Sequence, residues 1–258
     1  MLYTETVDAK TLDLIKKLMN DKELRDFNLV GGTALSLQIG HRKSIDVDLF
    51  SQKGFDALAL KNHLEKEYGA IIRMNIGSSI KAEIGDVKLD IMAHQYPLVK
   101  PVLKSEGIRL VSLEDIGAMK INAISGNGTR VKDFIDMHSL LEYKNLKELI
   151  AAFVNKYPDV SESMAIESLK YFRDVDFDVV EKKLMKDFNW SKVTERLENA
   201  VKQPEKIFIS QGQKLMQSLE QKLKQSQKLE KSQKLKQSIK KAREDEPTQR
   251  IRGQRPKR

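Results

Sequence analysis

The 258-residue chain contains no cysteine, so it can form neither a disulfide nor a thiolate-ligated metal site. Its four histidines are scattered without the close spacing that is typical of a zinc site. The sequence also lacks the G-x-G-x-x-G fingerprint and a P-loop, which argues against a dinucleotide-binding or Walker-type site. The carboxylates of Asp and Glu are therefore the main candidates for metal binding.

Long apolar segments are missing as well. No run approaches the roughly 18 apolar residues that a membrane span needs, and acids near the N-terminus, such as Glu5 and Asp8, argue against a secretory signal. With 40% hydrophobic and 32% charged residues, the chain can bury a core beneath a charged surface. The sequence therefore predicts a soluble, cytoplasmic protein without membrane contact.

The formal net charge of +9 does not come from the first 202 residues. Residues 203–258 hold 16 of the 46 lysines and arginines and 6 of the 37 acids, which leaves 30 basic and 31 acidic residues before them. This tail is rich in Gln, Lys and Ser, and its leucines do not follow a heptad. We expect a helical or disordered arm that can bind nucleic-acid phosphates but, lacking aromatics after Phe208, cannot stack on bases.

The hydrophobic periodicity changes along the chain. Residues 1–110 contain both helical spacing and the two-residue alternation of strands. The predicted elements are a helix over 8–26, a strand in "FNLVGG", a helix from Thr33, a strand in "SIDVDLF", a helix over 55–68, a hairpin and a strand in "VKLDIMAH". Residues 111–202 have helical spacing throughout, with a polar joint at "RDVDFD". The pattern predicts an α/β (α+β) fold, in which a mixed sheet with helices is followed by a helical domain that completes a cleft.

Two aspartates interrupt the strand "SIDVDLF". Because residues i and i+2 of a strand project to the same side, Asp46 and Asp48 should point together, while Ile45, Val47 and Leu49 face the core. Adjacent carboxylates repel each other and raise at least one pKa unless a cation lies between them. Mg²⁺ suits such a pair, since it binds one or two carboxylates together with substrate phosphates.

Two further features fit a phosphotransfer site. Gly31-Gly32-Thr33 follows a short strand, so its backbone can approach phosphate oxygens at a helix N-terminus. Asp90, between Leu89 and Ile91, is a third strand carboxylate. Each signal alone is more often a solvated strand edge or a simple turn, but their combination favours metal-dependent nucleotidyl transfer.

The stretch "LVGGTALSLQIGHRKSIDVDLF" resembles the first motif of the polymerase-β-like nucleotidyltransferase superfamily, in which a Gly-Gly or Gly-Ser pair precedes D-x-D. It is most similar to the AbiEii/AbiGii branch, the nucleotidyltransferase toxins of bacterial toxin–antitoxin and phage-abortive systems, related to the MenT toxins. The similarity continues in "LVSLEDIGAMKINAISGNGTRVKDFIDMHSLL" and covers roughly residues 25–202.

The resemblance implies roles for individual residues. Asp46, Asp48 and Asp90 would hold Mg²⁺, with Asp90 helping to activate the acceptor hydroxyl. Lys120 would contact the triphosphate and Asp133 would belong to the catalytic set. The remaining residues implied in nucleotide binding are Gly31, Gly32, Thr33, Arg42, Arg130, Lys132 and Asp136.

Several of these residues have a structural alternative. Lys120 lies on an otherwise apolar helix face, so its ammonium needs an anion, which a triphosphate or a carboxylate on another helix could supply. Asp133 could be a helix-start charge and Asp136 a solvated side chain. Arg130 and Lys132 could be surface residues, and Arg42 could shape its loop.

Three functions remain open from the sequence. The first is Mg²⁺-dependent transfer of a nucleotide from an NTP to cellular RNA, plausibly tRNA, by a toxin that a cognate antitoxin would restrain. The second keeps the site but takes a small-molecule acceptor such as an aminoglycoside. The third is a nucleic-acid-binding accessory protein that works through its basic tail.

Overall fold

The computed structural model describes residues 1–177, residues 189–210 and, further on, residues 214, 218, 219, 222, 225–228 and 231. The chain forms two compact units, Met1–Phe208 and Ile209–Arg258. In the second unit the described residues from 214 onward have helical backbone, and the rest of the predicted arm lies outside the described residues. Part of the "RDVDFD" joint, together with residues 179–188, also lies outside them.

The described secondary structure begins with a 3₁₀ turn at Thr4–Thr6. The strands are β1 Asn28–Val30, β2 Val47–Ser51, β3 Ile71–Ile76, β4 Ser79–Ile84, β5 Val87–Ala93, β6 Leu103–Ser105 and β7 Ile108–Leu110. The helices are α1 Ala9–Asn20, α2 Gly31–Ile39, α3 Ala57–Tyr68, α4 Leu113–Gly126, α5 Val131–Leu140, α6 Leu146–Lys156, α7 Glu162–Ser168 and α8 Trp190–Lys202.

The seven strands form one mixed sheet in the order β3-β4-β5-β2-β1-β7-β6. β2 runs parallel to β5 and β1 runs parallel to β7, while the other neighbours are antiparallel. In β2 and β5 buried residues alternate with partly exposed ones, so each strand gives one face to the core and one to the site. The predicted α/β (α+β) class is confirmed.

The local predictions differ from the structure at several boundaries. The first helix ends at Asn20, and α2 begins at Gly31 rather than Thr33. β2 begins at Val47, and Ile45, expected in the core, is 63% exposed because it precedes the strand. β6 and β7 were not predicted; each has only three residues, too few for a clear alternation, and β7 is fixed by pairing with β1.

The helices from α4 onward pack against one another and reach the sheet through α2. α4 contacts α5, α6 and α7, and α2 contacts both α4 and α5. A buried ion pair joins α6 to α4, with Lys156 Nζ 2.9 Å from the Asp115 carboxylate, which also accepts a hydrogen bond from the hydroxyl of Ser112, the N-cap of α4. The predicted boundary at residue 110 falls between β7 and α4, inside the first compact unit.

That unit extends beyond the predicted tail boundary at residue 203. The Phe208 amide donates to the Leu141 carbonyl, and Lys147 pairs with Glu205. These contacts hold the segment up to Phe208 on the helical part of the unit. None of the described helices is long and apolar enough to cross a membrane.

Candidate active site

Three carboxylates meet at the junction of β2 and β5. The parallel register places Asp48 directly beside Asp90, on strands that lie about 4.8 Å apart. Asp46 lies just before β2, two residues from Asp48. All three side chains line one open pocket of about 400 Å³. The structure therefore brings Asp90 together with Asp46 and Asp48, which the sequence placed on a different strand.

Asp48 lies at the centre of this group. Burial raises its pKa to about 6; Lys120 opposes the shift, whereas the charges of Asp90 and Asp46 add to it. A raised pKa means that ionisation of the carboxylate costs free energy at this position, and a nearby cation stabilises the ionised form. The position therefore favours binding a positively charged species at neutral pH.

The glycine pair lies against the carboxylates. Gly31 is the first residue of α2 and has φ +70°, a left-handed conformation that glycine adopts without strain. A Cβ at Gly31 would overlap the Asp48 carboxylate, and one at Gly32 would overlap the Arg42 guanidinium. No side chain among the described residues caps α2, so its first backbone N–H groups can bind an anion beside Asp48.

Thr33 is fully buried, and its hydroxyl forms hydrogen bonds only to other groups of the described protein. The hydroxyl hydrogen-bonds to the Asp46 carbonyl and lies 2.8 Å from the Ser44 hydroxyl. These contacts tie the segment before β2 to the start of α2. The Thr33 side chain thus positions Asp46, and only its backbone N–H is available to a ligand.

A buried charge cluster lies next to the carboxylate pocket. Asp136 accepts hydrogen bonds from Arg42 Nε at 2.7 Å and Arg42 Nη2 at 3.1 Å, and lies 2.8 Å from His41 Nε2. Lys120 Nζ lies 2.6 Å from Asp136 and 2.7 Å from Asp133. Two cations thus balance two carboxylates away from water.

The pKa values follow from this pairing. Burial opposes ionisation of Asp136, but Arg42 and Lys120 outweigh it and hold its pKa well below the usual range. Burial also opposes the charge on Lys120, and Asp136 and Asp133 outweigh it, so that the Lys120 pKa is raised. For His41, burial prevails and lowers the pKa, which keeps the ring neutral at pH 7.

The cluster supplies the carboxylate partner that was one alternative for Lys120, since its ammonium pairs with Asp133 and Asp136 of α5. The contact of Lys120 with a triphosphate stays a prediction. Asp136 is fully buried and not solvated. Arg42 is also committed to Asp136, with a side chain only 7% exposed. The sequence carried a signal for this pairing, since Asp133 and Asp136 are three apart on one helical face.

The remaining predicted residues lie at different depths. Arg130 precedes α5, is 61% exposed, lines the carboxylate pocket and lies 3.4 Å from Asp133. Lys132 is half-buried and forms no ion pair with the described residues. Arg130 is therefore the predicted nucleotide contact whose side chain is open to the pocket.

The donor chemistry of the pocket fits Mg²⁺. The described residues contain no group of three or more His, Asp or Glu close enough to enclose a metal. Mg²⁺ does not require such a cage, because one or two carboxylates, waters and substrate phosphates complete its octahedron. Asp48 and Asp90, adjacent in register, offer those carboxylates.

Sequence reasoning missed the cations around this pocket. Arg73, Lys81 and Lys88 line it together with the acids. Lys81 pairs in register with Asp90, at 3.6 Å between Nζ and Oδ2. The tight β4–β5 turn and the alternation of Lys81 and Lys88 with buried residues were the signals that could have placed them on the face of Asp90.

Comparison with known proteins identifies relatives of the chain. The model of the family described as "Nucleotidyl transferase AbiEii toxin, Type IV TA system" matches residues 13–201. An uncharacterised protein of Aquifex aeolicus (strain VF5) is 30% identical over 198 residues, which are 72% of this chain and 96% of that protein.

Solved structures with a similar arrangement are more distant. A crystal structure of a candidate nucleotidyltransferase from Helicobacter pylori has 20% identity and a TM-score of 0.49, and the match covers 82% of this chain and 98% of that chain. The antibiotic-resistance factor ANT(2'')-Ia has 17% identity and a TM-score of 0.47, and the match covers 57% of this chain and 91% of that chain. With TM-scores below 0.5, the family assignment rests on the sequence matches.

Proposed function

Because the chain belongs to the AbiEii nucleotidyltransferase toxin family and is a nucleotidyltransferase, we propose that it transfers a nucleotide from an NTP to an RNA acceptor with Mg²⁺. The acceptor in this proposal is transfer RNA. The biological role that we propose is that of a toxin whose activity stops growth and which a cognate antitoxin restrains. One observation supports the chemistry most: Asp48 and Asp90 lie in register beside the free N-terminus of α2, with Asp46 in the same pocket.

In this proposal the triphosphate, the metal ion and Arg42 are each held by different residues. The backbone N–H groups at Gly31 and Gly32 hold the triphosphate, and Arg130, which lines the carboxylate pocket, contacts it through its guanidinium. Asp48 and Asp90 would hold Mg²⁺, with Asp46 adding negative charge from the same pocket, and the ion would supply charge neutralisation at the reacting phosphate. Asp136 is a positioning residue, because it fixes Arg42 against Gly32.

The bond changes are those of nucleotidyl transfer. The acceptor hydroxyl oxygen forms a bond to the α-phosphorus, and the bond from that phosphorus to the oxygen bridging the β-phosphate breaks. Pyrophosphate leaves with the bonding electrons. The hydroxyl proton passes to the Asp90 carboxylate, which lines the pocket and is 42% exposed.

A labelling experiment tests this function. The protein is incubated with Mg²⁺, total cellular RNA and each α-labelled NTP in turn, and label in RNA is measured. We expect labelled RNA with the wild-type protein and none with Asp48→Asn, which keeps the shape but removes a metal-binding charge. Transfer that persists in Asp48→Asn would end the proposal.

The toxin role has its own test. Induced expression of the wild-type chain should arrest the growth of a bacterial host, and Asp48→Asn at equal protein level should not. Equal growth arrest by both proteins would refute a toxicity that depends on nucleotide transfer.

A further inference from the structure

Four basic side chains line the carboxylate pocket. Arg73 on β3, Lys81 on β4 and Lys88 on β5 lie on one side, and Arg130 lies before α5. They line the same pocket as the three aspartates, and the family resemblance assigns a role only to Arg130. We call Arg73, Lys81 and Lys88 the basic strip.

The strand register fixes where the basic strip lies. Lys81 is opposite Asp90, and Lys88 is two residues before Asp90, on the same face of β5. In the sheet order β3-β4-β5-β2-β1, the glycine turn follows β1, whereas the strip occupies β5, β4 and β3. The carboxylates therefore lie between the phosphate-binding turn and the strip.

The strip is open to solvent, in contrast to the buried cluster around Asp136. The side chain of Lys81 is 52% exposed and that of Arg73 is 57% exposed, although each has a carboxylate neighbour, Asp90 and Glu83. Lys88 is also exposed and has no ion pair with the described residues. Exposed cations of this kind can take a second anionic ligand without breaking the fold.

The position of the strip bears on the acceptor. In an in-line displacement the attacking oxygen approaches opposite the leaving group. If the leaving pyrophosphate lies at the glycine turn, the acceptor enters from the side of the strip. A row of cations there attracts a phosphodiester backbone and repels an aminoglycoside, which is itself a polycation.

We propose that the basic strip binds the phosphate backbone of the RNA acceptor and disfavours a cationic small molecule at the same place. This inference rests on the proposed nucleotide transfer and adds the acceptor-binding residues to it. Lys81 and Lys88 carry most of the contact, since the Arg73 guanidinium is hydrogen-bonded to Glu83 at 2.5 Å.

The test compares two double variants of the full-length chain. Lys81→Ala/Lys88→Ala removes the strip, and Lys53→Ala/Lys66→Ala removes two exposed lysines that do not line the pocket. Both variants lose the same charge and keep the basic tail. Steady-state transfer from labelled NTP to total tRNA gives KM for RNA and KM for NTP at several salt concentrations.

We expect KM for RNA to rise roughly fivefold for each strip lysine at about 0.1 M salt, or roughly 25-fold for the pair, since each phosphate contact contributes about 0.7 to the log–log salt slope. The slope should fall by about 1.4. KM for NTP and the melting temperature should stay at wild-type values, and the control variant should match the wild type throughout.

Three results would overturn the inference. The first is an unchanged KM for RNA in the strip variant. The second is a rise in KM for NTP instead, which would assign the strip to the triphosphate. The third is wild-type transfer to tobramycin in preference to tRNA.

Failure of the proposed function is distinguishable from failure of the strip. If the wild-type protein transfers no nucleotide, anisotropy of fluorescent tRNA in the presence of Mg²⁺ still measures binding. Weaker binding by the strip variant than by the control then supports the surface alone, and equal binding by the two variants overturns it.

Discussion

Replacing Asp48 with asparagine should stabilise the metal-free protein while it abolishes nucleotide transfer. Burial raises the pKa of this carboxylate from 3.8 to about 6; Lys120 opposes the rise, and the charges of Asp90 and Asp46 add to it. Above that pH the folded protein holds an ionised group that the unfolded chain would solvate better. An amide of the same shape removes this cost, so the change separates stability from function.

The magnitude follows from the pKa. Each unit is worth about 1.4 kcal/mol, so a rise of roughly two units costs about 3 kcal/mol when Asp48 is ionised in both states. Because the side chain is only partly buried, solvent reduces this, and we expect Asp48→Asn to raise the free energy of unfolding by ~1–3 kcal/mol.

The sign of the pH dependence is defined by the same shift. Well below pH 4 the carboxyl is neutral in the folded and the unfolded chain, so the variant and the wild type should be equally stable. As the pH rises from 4 to 6, the unfolded chain ionises first and the wild type loses stability relative to the variant. Above pH 6 the difference should be constant.

Urea unfolding of the metal-free proteins at pH 4 and pH 7.5 measures both quantities. Asp159→Asn, an exposed position, serves as the control and should stay within about 0.5 kcal/mol of wild type at both values. Added Mg²⁺ should stabilise the wild type by ~2.7 kcal/mol at a hundredfold excess over its Kd, and Asp48→Asn much less.

Two results would refute this reasoning. A less stable Asp48→Asn at pH 7.5 without metal would mean that the carboxylate holds the fold together. A stability difference that is the same at pH 4 and pH 7.5 would mean that ionisation of Asp48 is not its cause.

Three further predictions concern other parts of the molecule. Lys120→Ala should lower the free energy of unfolding by about 3–5 kcal/mol in urea titrations, because it leaves two buried carboxylates with one cation fewer; a loss below 1 kcal/mol would contradict the buried cluster. Gly31→Ala should destabilise the protein more than Gly85→Ala. Both positions have positive φ, which costs an alanine about 1–2 kcal/mol, but only the Cβ added at Gly31 would overlap Asp48. Equal melting temperatures of the two variants would exclude the close approach of Gly31 to Asp48. Truncation after Phe208 should leave a folded protein with a smaller salt slope in RNA binding, and an unfolded product by circular dichroism would show that the removed segment supports the fold.

Much of the first half of the fold could be predicted from local pattern. Strands β2 and β5 alternate buried and partly exposed residues, and this period placed Asp48 and Asp90 on non-core faces before any pairing was known. β6 and β7 could not be found in this way, because strands of three residues have no period of their own. Ile45 was misplaced because alternation shows a face but not where a strand begins.

The helical half shows a different limit. The apolar face around Lys120 predicted that its ammonium needs an anion, and Asp133 and Asp136 were visible as a spaced pair. The choice between these carboxylates and a triphosphate depends on the packing of α4 against α5. Sequence alone does not contain that packing, so both partners stayed open.

The sequence by itself determined the motif: the glycine pair, the aspartates two apart and the lone strand aspartate, because their geometry follows from local backbone periods. Only the tertiary structure decided their partners. The parallel register of β2 and β5 puts Asp90 beside Asp48, the β4–β5 pairing puts Lys81 beside Asp90, and α5 supplies the carboxylates for Lys120. These are contacts between segments distant in the chain, and their identity depends on how whole elements pack, which no local period encodes.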